Sequence, residues 1–291
     1  MMTIADSFQD LLASIEPSST IGDTAAGRIR SIRSRLEQAF DLKKLETVGS
    51  YSRGTFIRNS SDLDVFAVIS RDDVRWGSEY KSSTTILNRI REELEDRFWN
   101  TSVYRNAQAV VVGFNDCTVD VVPAFFSRTT ERGWPVYYMP DGAGGWMETS
   151  PGLHNAYIRQ EDIAAAGKLR GTARLLKFWR QCRSPDVPIS SFHIEMILAS
   201  EGVCKGAKSY AICALGILQR LADRGCRALQ DPLRVSGYIS AVRTENQIAG
   251  ALASVRYSRD HAAAAVAAAN SGDVAEARRQ WDIVFNGAFP W

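Results

Sequence analysis

Two aspartates separated by one residue stand at the mouth of an apolar run. Asp62-Leu63-Asp64 leads directly into Val65-Phe66-Ala67-Val68-Ile69. A run of this length, rich in β-branched and aromatic residues, predicts a buried strand. Residues i and i+2 of a strand share a face, so both carboxylates are expected to project together beside the sheet. Like charges held that close are costly unless a cation lies between them. Oxygen ligands of this kind suit Mg²⁺ or Mn²⁺, which bind through a few carboxylates plus the phosphates of a substrate. About a dozen residues upstream, Gly49-Ser50 supplies a turn. Glycine reaches backbone conformations barred to other residues, and the N–H groups and hydroxyl that follow can face a phosphate. Alone, each piece reads as a solvated turn or a common loop dipeptide. In strand–turn–helix–strand order, from Val48 to Ile69, they point to one site.

A second carboxylate-bearing strand follows in AVVVGFNDCTVDVVPAF, residues 109–125. Two apolar runs flank Asn115-Asp116, which predicts a hairpin. On the second run Thr118, Asp120 and Val122 share a face. A carboxylate in so apolar a strand is costly unless paired or metal-bound. By itself Asp120 reads as an edge-strand residue facing water. With Asp62 and Asp64 already placed, it becomes the third carboxylate of the set.

The remainder sets limits. A chain of 291 residues with 45% hydrophobic content can bury one large or two moderate cores. The net charge of +2 argues against a protein that coats nucleic acid. Residues 168–259, however, hold fifteen Lys and Arg against six Asp and Glu, an excess that suits a polyanionic ligand such as a nucleoside triphosphate. The five cysteines are scattered without a C-x-x-C pair, which predicts reduced core thiols, no structural zinc and a cytoplasmic protein. No apolar run reaches membrane-span length and no signal peptide is expected, so no membrane partner is either.

Helical spacing predicts elements over Thr3 to Ile15, about Thr24 to Phe40, and Lys81 to Trp99, the last capped by Ser82 or Ser83. On the second, Arg28, Arg30, Arg33 and Arg35 are expected to be solvated. Trp134 to Pro151 is Gly- and Pro-rich and reads as a connecting loop. It divides the chain into a core over 1–150 and a helical lobe over 151–291. Helices are expected at His154–Ala165 and Lys168–Arg183, the latter with Arg170, Arg174 and Lys177 on one side. Ser190 or Ser191 caps the next helix, His193 is a packed histidine, and Ala262–Ala269 is helical scaffold.

GSYSRGTFIRNSSDLD, VDVVPA, RLLKFW and the closing FNGAFP together resemble the nucleotidyltransferase superfamily related to DNA polymerase beta. Within it the chain is similar to the bacterial CD-NTases, relatives of cyclic GMP–AMP synthase and oligoadenylate synthase. The resemblance spans nearly the whole chain. It implies an α/β (α+β) fold class: a two-lobed nucleotidyltransferase with a mixed-sheet catalytic core and a helical C-terminal lobe. It implies that Asp62, Asp64 and Asp120 are catalytic and hold two Mg²⁺ or Mn²⁺ ions, about 3.5–4 Å apart in such sites. Whether Asp120 also serves as general base stays open. Gly49, Ser50, Lys177 and Ser191 are implied in holding the nucleotide's phosphates, and Phe192 in stacking on any nucleobase. The implied reaction joins nucleoside triphosphates, ATP with a second base left open, into a cyclic di- or trinucleotide messenger of antiphage signalling. Its implied partners are a cyclic-nucleotide-activated effector and an operon-encoded regulator, with no stable nucleic-acid complex. A linear oligoadenylate synthase, an enzyme acting on tRNA or a small-molecule acceptor, and an inactive nucleotide-binding module remain as rivals. Three intact carboxylates weigh against the last.

Overall fold

The computed structural model describes residues 3–17, 21–58 and 62–291. In chain order its elements are α1 (Ile4–Ser14), α2 (Ile21–Ala39), β1 (Leu42–Thr47), α3 (Gly49–Arg53) and β2 (Leu63–Ile69). A short hairpin, β3 (Arg75–Trp76) and β4 (Glu79–Tyr80), precedes α4 (Ser83–Arg97), β5 (Ser102–Asn106), β6 (Ala109–Gly113) and β7 (Thr118–Thr129). Then come β8 (Pro135–Pro140), β9 (Trp146–Thr149), α5 (Pro151–Ala164), α6 (Lys168–Gln181), α7 (Ser191–Ser200) and α8 (Tyr210–Asp223). A second short hairpin, β10 (Leu229–Gln230) and β11 (Tyr238–Ile239), leads into α9 (Asn246–Asn270) and α10 (Val274–Val284).

The main sheet is mixed and runs β1-β2-β7-β6-β5, with β8 paired to β7 and β9 to β8. Only β2 and β7 run parallel; the other pairs are antiparallel. Strand alternation gives the sheet two apolar faces. Leu63, Val65, Ala67 and Ile69, with Val119, Val121 and Phe125, pack beneath α2 and α4 against Ile32, Leu36, Ile86, Ile90 and Leu94. Phe66, Val68, Val122 and Ala124 form a smaller cluster on the other face. That double burial is why Val65–Ile69 reads as an unbroken apolar run. It is also the face onto which Asp64 and Asp120 alternate.

Ser82 caps α4, accepting from the Thr85 N–H at 3.1 Å. Three of the four arginines on α2 are tied down and not merely solvated. Arg28 meets Asp116 of the hairpin at 3.1 Å and lies over Phe114, Arg33 donates to the Leu45 carbonyl, and Arg35 grips Glu93 and Asp96. Arg30 alone is exposed. The stretch from Trp134 to Pro151 is not a loop either, since β8 and β9 extend the sheet through it. Val136-Tyr137-Tyr138-Met139 are strand formers, and Tyr138 and Trp146 pack on Phe125 with ring centroids at 5.2 and 4.9 Å. Only Asp141–Gly145 turns, held by the Asp141 carboxylate on the N–H groups of Ala143 and Gly145.

The helical half gathers around Trp179, Ile194, Met196, Ile217, Leu218 and Trp281. It also takes in the start of the chain. Thr3 and Asp6 form a capping box for α1, whose Phe8, Leu11 and Leu12 enter this helical core. Phe8 meets Trp281 and Phe289 edge-on, at 4.9 and 5.0 Å. We therefore propose a lobe boundary near residue 150 with α1 on its helical side. Among the described residues, no helix is long and apolar enough to cross a membrane. Because Phe8 fastens the start of the chain to its end, Phe8→Ala is expected to cost about 3–5 kcal/mol. The urea midpoint measures it, and a loss below about 1 kcal/mol would contradict the packing described.

Candidate active site

Asp64 and Asp120 are register partners on the parallel pair β2 and β7, side by side on one face. Asp62 lies just before β2, exposed at its mouth. The three carboxylates feel one another. Burial pushes Asp120 up to about 7, and the charges of Asp62 and Asp64 push the same way, against Arg243. Burial likewise lifts Asp64 to about 6; Arg53 and Lys177 draw it down while Asp62 raises it. Burial also raises Asp62. One oxygen of Asp120, Oδ1, is buried without a hydrogen-bond partner among the described residues.

Gly49 stands against Asp64 so closely that a side chain is impossible there. Its φ is +66°, and a Cβ would fall 1.8 Å from Asp64 Oδ2. The Ser50 N–H bonds the Asp64 carboxylate and helps hold it ionised, so this donor is already committed, and Ser50 itself is buried. Strand and turn are locked together by the Val48 N–H on the Asp64 carbonyl at 2.9 Å. The five-residue α3 closes at Gly54, φ +71°, and Thr55 folds back to donate its N–H to the Ser50 carbonyl.

Behind this turn lies a buried charge cluster joining both halves of the chain. Lys177 of α6 is not on a solvated stripe but only 4% exposed. Its ammonium lies 3.4 Å from Glu195 Oε1 and 3.4 Å from Thr55 Oγ1. Arg53 Nε donates to Glu195 Oε2 at 2.5 Å, and the Thr55 hydroxyl to Oε1 at 2.5 Å. Burial pushes the Glu195 carboxyl up, yet Arg53, Lys177 and Thr55 outweigh it and hold it below the usual range. Burial lowers Lys177 against the pull of Glu195 and Asp64.

The other expected nucleotide contacts fall nearby, with partners of their own. Ser190 caps α7, accepting from the His193 N–H at 3.4 Å. Ser191 accepts from Arg180 Nη1 at 2.7 Å. Phe192 is half-buried, with the Arg53 guanidinium 5.2 Å from its ring centroid and His154 edge-on at 5.3 Å. His193 is fully buried, bonded to the Ile239 carbonyl, and held near a pKa of about 4 by burial, so it is a neutral packed residue. Sequence reasoning missed Arg53, Thr55, Glu195 and Arg243. Arg53 was visible inside GSYSRGT, and Glu195 as the one carboxylate of SFHIEMILAS, an otherwise apolar helix. Arg243 carried no local signal.

The donor set fits a divalent cation: hard carboxylate oxygens, an unpartnered buried oxygen on Asp120, and pKa values raised by burial and by neighbouring carboxylates, which a cation would relieve. Among the described residues no three His, Cys, Asp or Glu side chains form a ready-made cage. Mg²⁺ in phosphoryl-transfer sites is characteristically bound by one or two carboxylates together with substrate phosphates.

Residues 2–162 match the family model of the Second Messenger Oligonucleotide or Dinucleotide Synthetase (SMODS) domain. A cyclic AMP-AMP-AMP synthase of Escherichia coli (strain MS 115-1) is 30% identical over 168 residues, 55% of this chain and 50% of the relative. The chain thus spans about half the length of that protein. A cyclic AMP-AMP-AMP synthase of an Acinetobacter species is 24% identical over all of this chain and 86% of its own length. Solved structures of E. coli MS115-1 CdnC, one with ATP and one in complex with HORMA-deltaN, are both 20% identical with a TM-score of 0.74. Each alignment covers 99% of this chain, and 99% of the ATP-bound and 98% of the HORMA-bound chain. That likeness establishes the fold.

Two outcomes follow from the geometry. Gly49→Ala is expected to displace Asp64 and cut turnover about a hundredfold or more. Gly77→Ala, also at positive φ but in open space, should leave turnover near parental; equal losses would deny Gly49 its special place. The second outcome concerns stability without metal. The folded state holds protons on Asp64 and Asp120 up to pH about 6 and 7, the unfolded chain only to about 3.9. Stability therefore falls as pH rises between those values. In EDTA at pH 8, Asp64→Asn and Asp120→Asn should each be more stable than the parent by about 1–3 kcal/mol, a gain that fades below about pH 4. Variants that melt at or below the parent at pH 8 would contradict the raised pKa values of the buried carboxylates.

Proposed function

Because the chain belongs to the Second Messenger Oligonucleotide or Dinucleotide Synthetase domain family, we propose that it joins nucleoside triphosphates into a cyclic di- or trinucleotide. The observation that carries this reading is the in-register pair Asp64 and Asp120, with Asp62 at the strand mouth and Gly49 pressed against Asp64. Asp62, Asp64 and Asp120 would hold Mg²⁺ or Mn²⁺, and the bound metal would neutralise charge on the triphosphate and the leaving pyrophosphate.

The chain's own groups account for the remaining needs. The bare Gly49 backbone lets a nucleotide come close to Asp64, while Lys177 puts positive charge behind the turn. An acceptor ribose hydroxyl attacks the α-phosphorus; the new P–O bond forms as the bond to pyrophosphate breaks. Asp120, on the sheet face beside Asp64, stands where it can take the proton of that hydroxyl. Phe192, half-buried, is the ring proposed to stack on a base, and Ser191 offers a hydroxyl once Arg180 yields it. ATP is the first nucleotide proposed, since a relative of the same fold is solved with ATP. The HORMA complex of that relative supports a protein regulator here as well. Cyclisation follows if the linear intermediate keeps its 5′-triphosphate and turns within one cleft, which makes closure effectively unimolecular.

The test is incubation with Mg²⁺ and labelled nucleoside triphosphates, singly and in pairs. Pyrophosphate release and a phosphatase-resistant product are expected, both lost in the Asp62→Asn/Asp64→Asn protein. Wild-type release by that variant would sink the site. Product converted wholly to free phosphate and dephosphorylated chains would leave the transfer chemistry standing and refute the ring.

A further inference from the structure

Glu195 is an anomaly in the helix that carries it. Ile194, Met196, Ile197, Leu198 and Ala199 around it are core residues, and its own side chain is 0% exposed. No nucleotide can reach it, and the chemistry above makes no use of it. A carboxylate in such surroundings becomes protonated unless cations and donors hold its charge. Here Arg53 Nε and the Thr55 hydroxyl each donate at 2.5 Å, and the Lys177 ammonium stands at 3.4 Å.

Those two cations have another carboxylate in range. Gly49, the first residue of α3, abuts Asp64, and Arg53 lies four residues on, on the same face of that short helix. Arg53 and Lys177 both act on Asp64 electrostatically. The groups facing Lys177 are therefore Glu195 from α7, Arg53 and Thr55 from the end of α3, and Asp64 from β2. Between the two carboxylates, the hydrogen bonds go to Glu195. An Asp64 gripped by a guanidinium would have its oxygens occupied by strong, charge-assisted bonds.

We propose that Glu195 is a positioning residue that keeps Arg53 and Lys177 off Asp64, leaving that carboxylate open to a divalent cation. The inference rests on the reading of Asp64 as a metal-binding group. Thr55 refines the arrangement. Its hydroxyl gives its proton to Glu195 and can accept from Lys177, so it ties the ammonium to the same carboxylate that holds Arg53.

The experiment measures Mn²⁺ binding by electron paramagnetic resonance in the presence of α,β-methylene-ATP, which permits no turnover. Glu195→Gln keeps the side chain's shape and removes its charge. If the released cations leave Asp64 free only one time in ten, the apparent Mn²⁺ Kd rises about tenfold. Adding Arg53→Gln should recover most of that loss. A purely structural Glu195 would lower the melting temperature and leave Mn²⁺ affinity at the parental value, which overturns the proposal, as does a loss that Arg53→Gln fails to correct. Should Glu195→Gln not fold, the Arg53→Gln/Glu195→Gln protein has to fold and bind Mn²⁺ within about threefold of the parent; failure on either count also overturns it. A parent that binds no Mn²⁺ would instead bring down the reading of the active site itself.

Discussion

Asp64 and Asp120 are held in register on parallel strands by two apolar cores, and neither can turn away from the other. Rotating either strand by one residue would bring Leu63 and Val119 out of the core and put carboxylates into it. The repulsion between them is thus built into the sheet. Burial raises both pKa values, Asp62 adds to each, and Asp64 adds to that of Asp120, which makes a cation the natural third party at that end of β2. Most of what surrounds the pair can be understood as a response to this constraint.

One response is steric. A residue with any side chain at position 49 would collide with Asp64, so the turn after β1 has to be glycine at positive φ. The close approach lets the Ser50 N–H reach Asp64 and stabilise its charge. The other response is electrostatic. Arg53 and Lys177 lower the Asp64 pKa from behind, while Glu195, fully buried, balances both of them. Buried ion pairs of this kind contribute little net stability when desolvation is counted. Their value lies in fixing where each charge points.

The cluster also joins the halves of the chain. Arg53 and Thr55 belong to the segment between β1 and β2; Lys177 and Glu195 come from α6 and α7. Asn155 of α5 adds a bond to Ser52 at 3.1 Å, and Arg243 reaches Asn106 of β5 at 3.3 Å on the Asp120 side. Contacts between sheet and helices therefore flank the carboxylates. The Arg53–Glu195 side is buried; the Arg243–Asn106 side is exposed.

Local pattern was enough for strands β1, β2, β6 and β7, for most helices and for placing Asp64 and Asp120 on apolar strands, because each is written in short-range periodicity. The caps of α4 and α7, each to within one of two adjacent serines, and His193 as a packed residue were legible for the same reason. The rest depended on partners distant in sequence. Lys177 looked like one of three basic residues on a helix flank until α3 and α7 closed over it; Arg28, Arg33 and Arg35 looked solvated until the sheet supplied their acceptors. Residues 134–151 were rich enough in Gly and Pro to pass for a loop, and only pairing with β7 made them strands. Arg53 and Glu195 are 142 positions apart. Periodicity reports which face of an element avoids water, but it carries no information on which charge from another element will meet that face. That pairing is decided by tertiary packing, because a buried ion's energy depends on the few ångströms to its counter-ion and not on its neighbours in the chain.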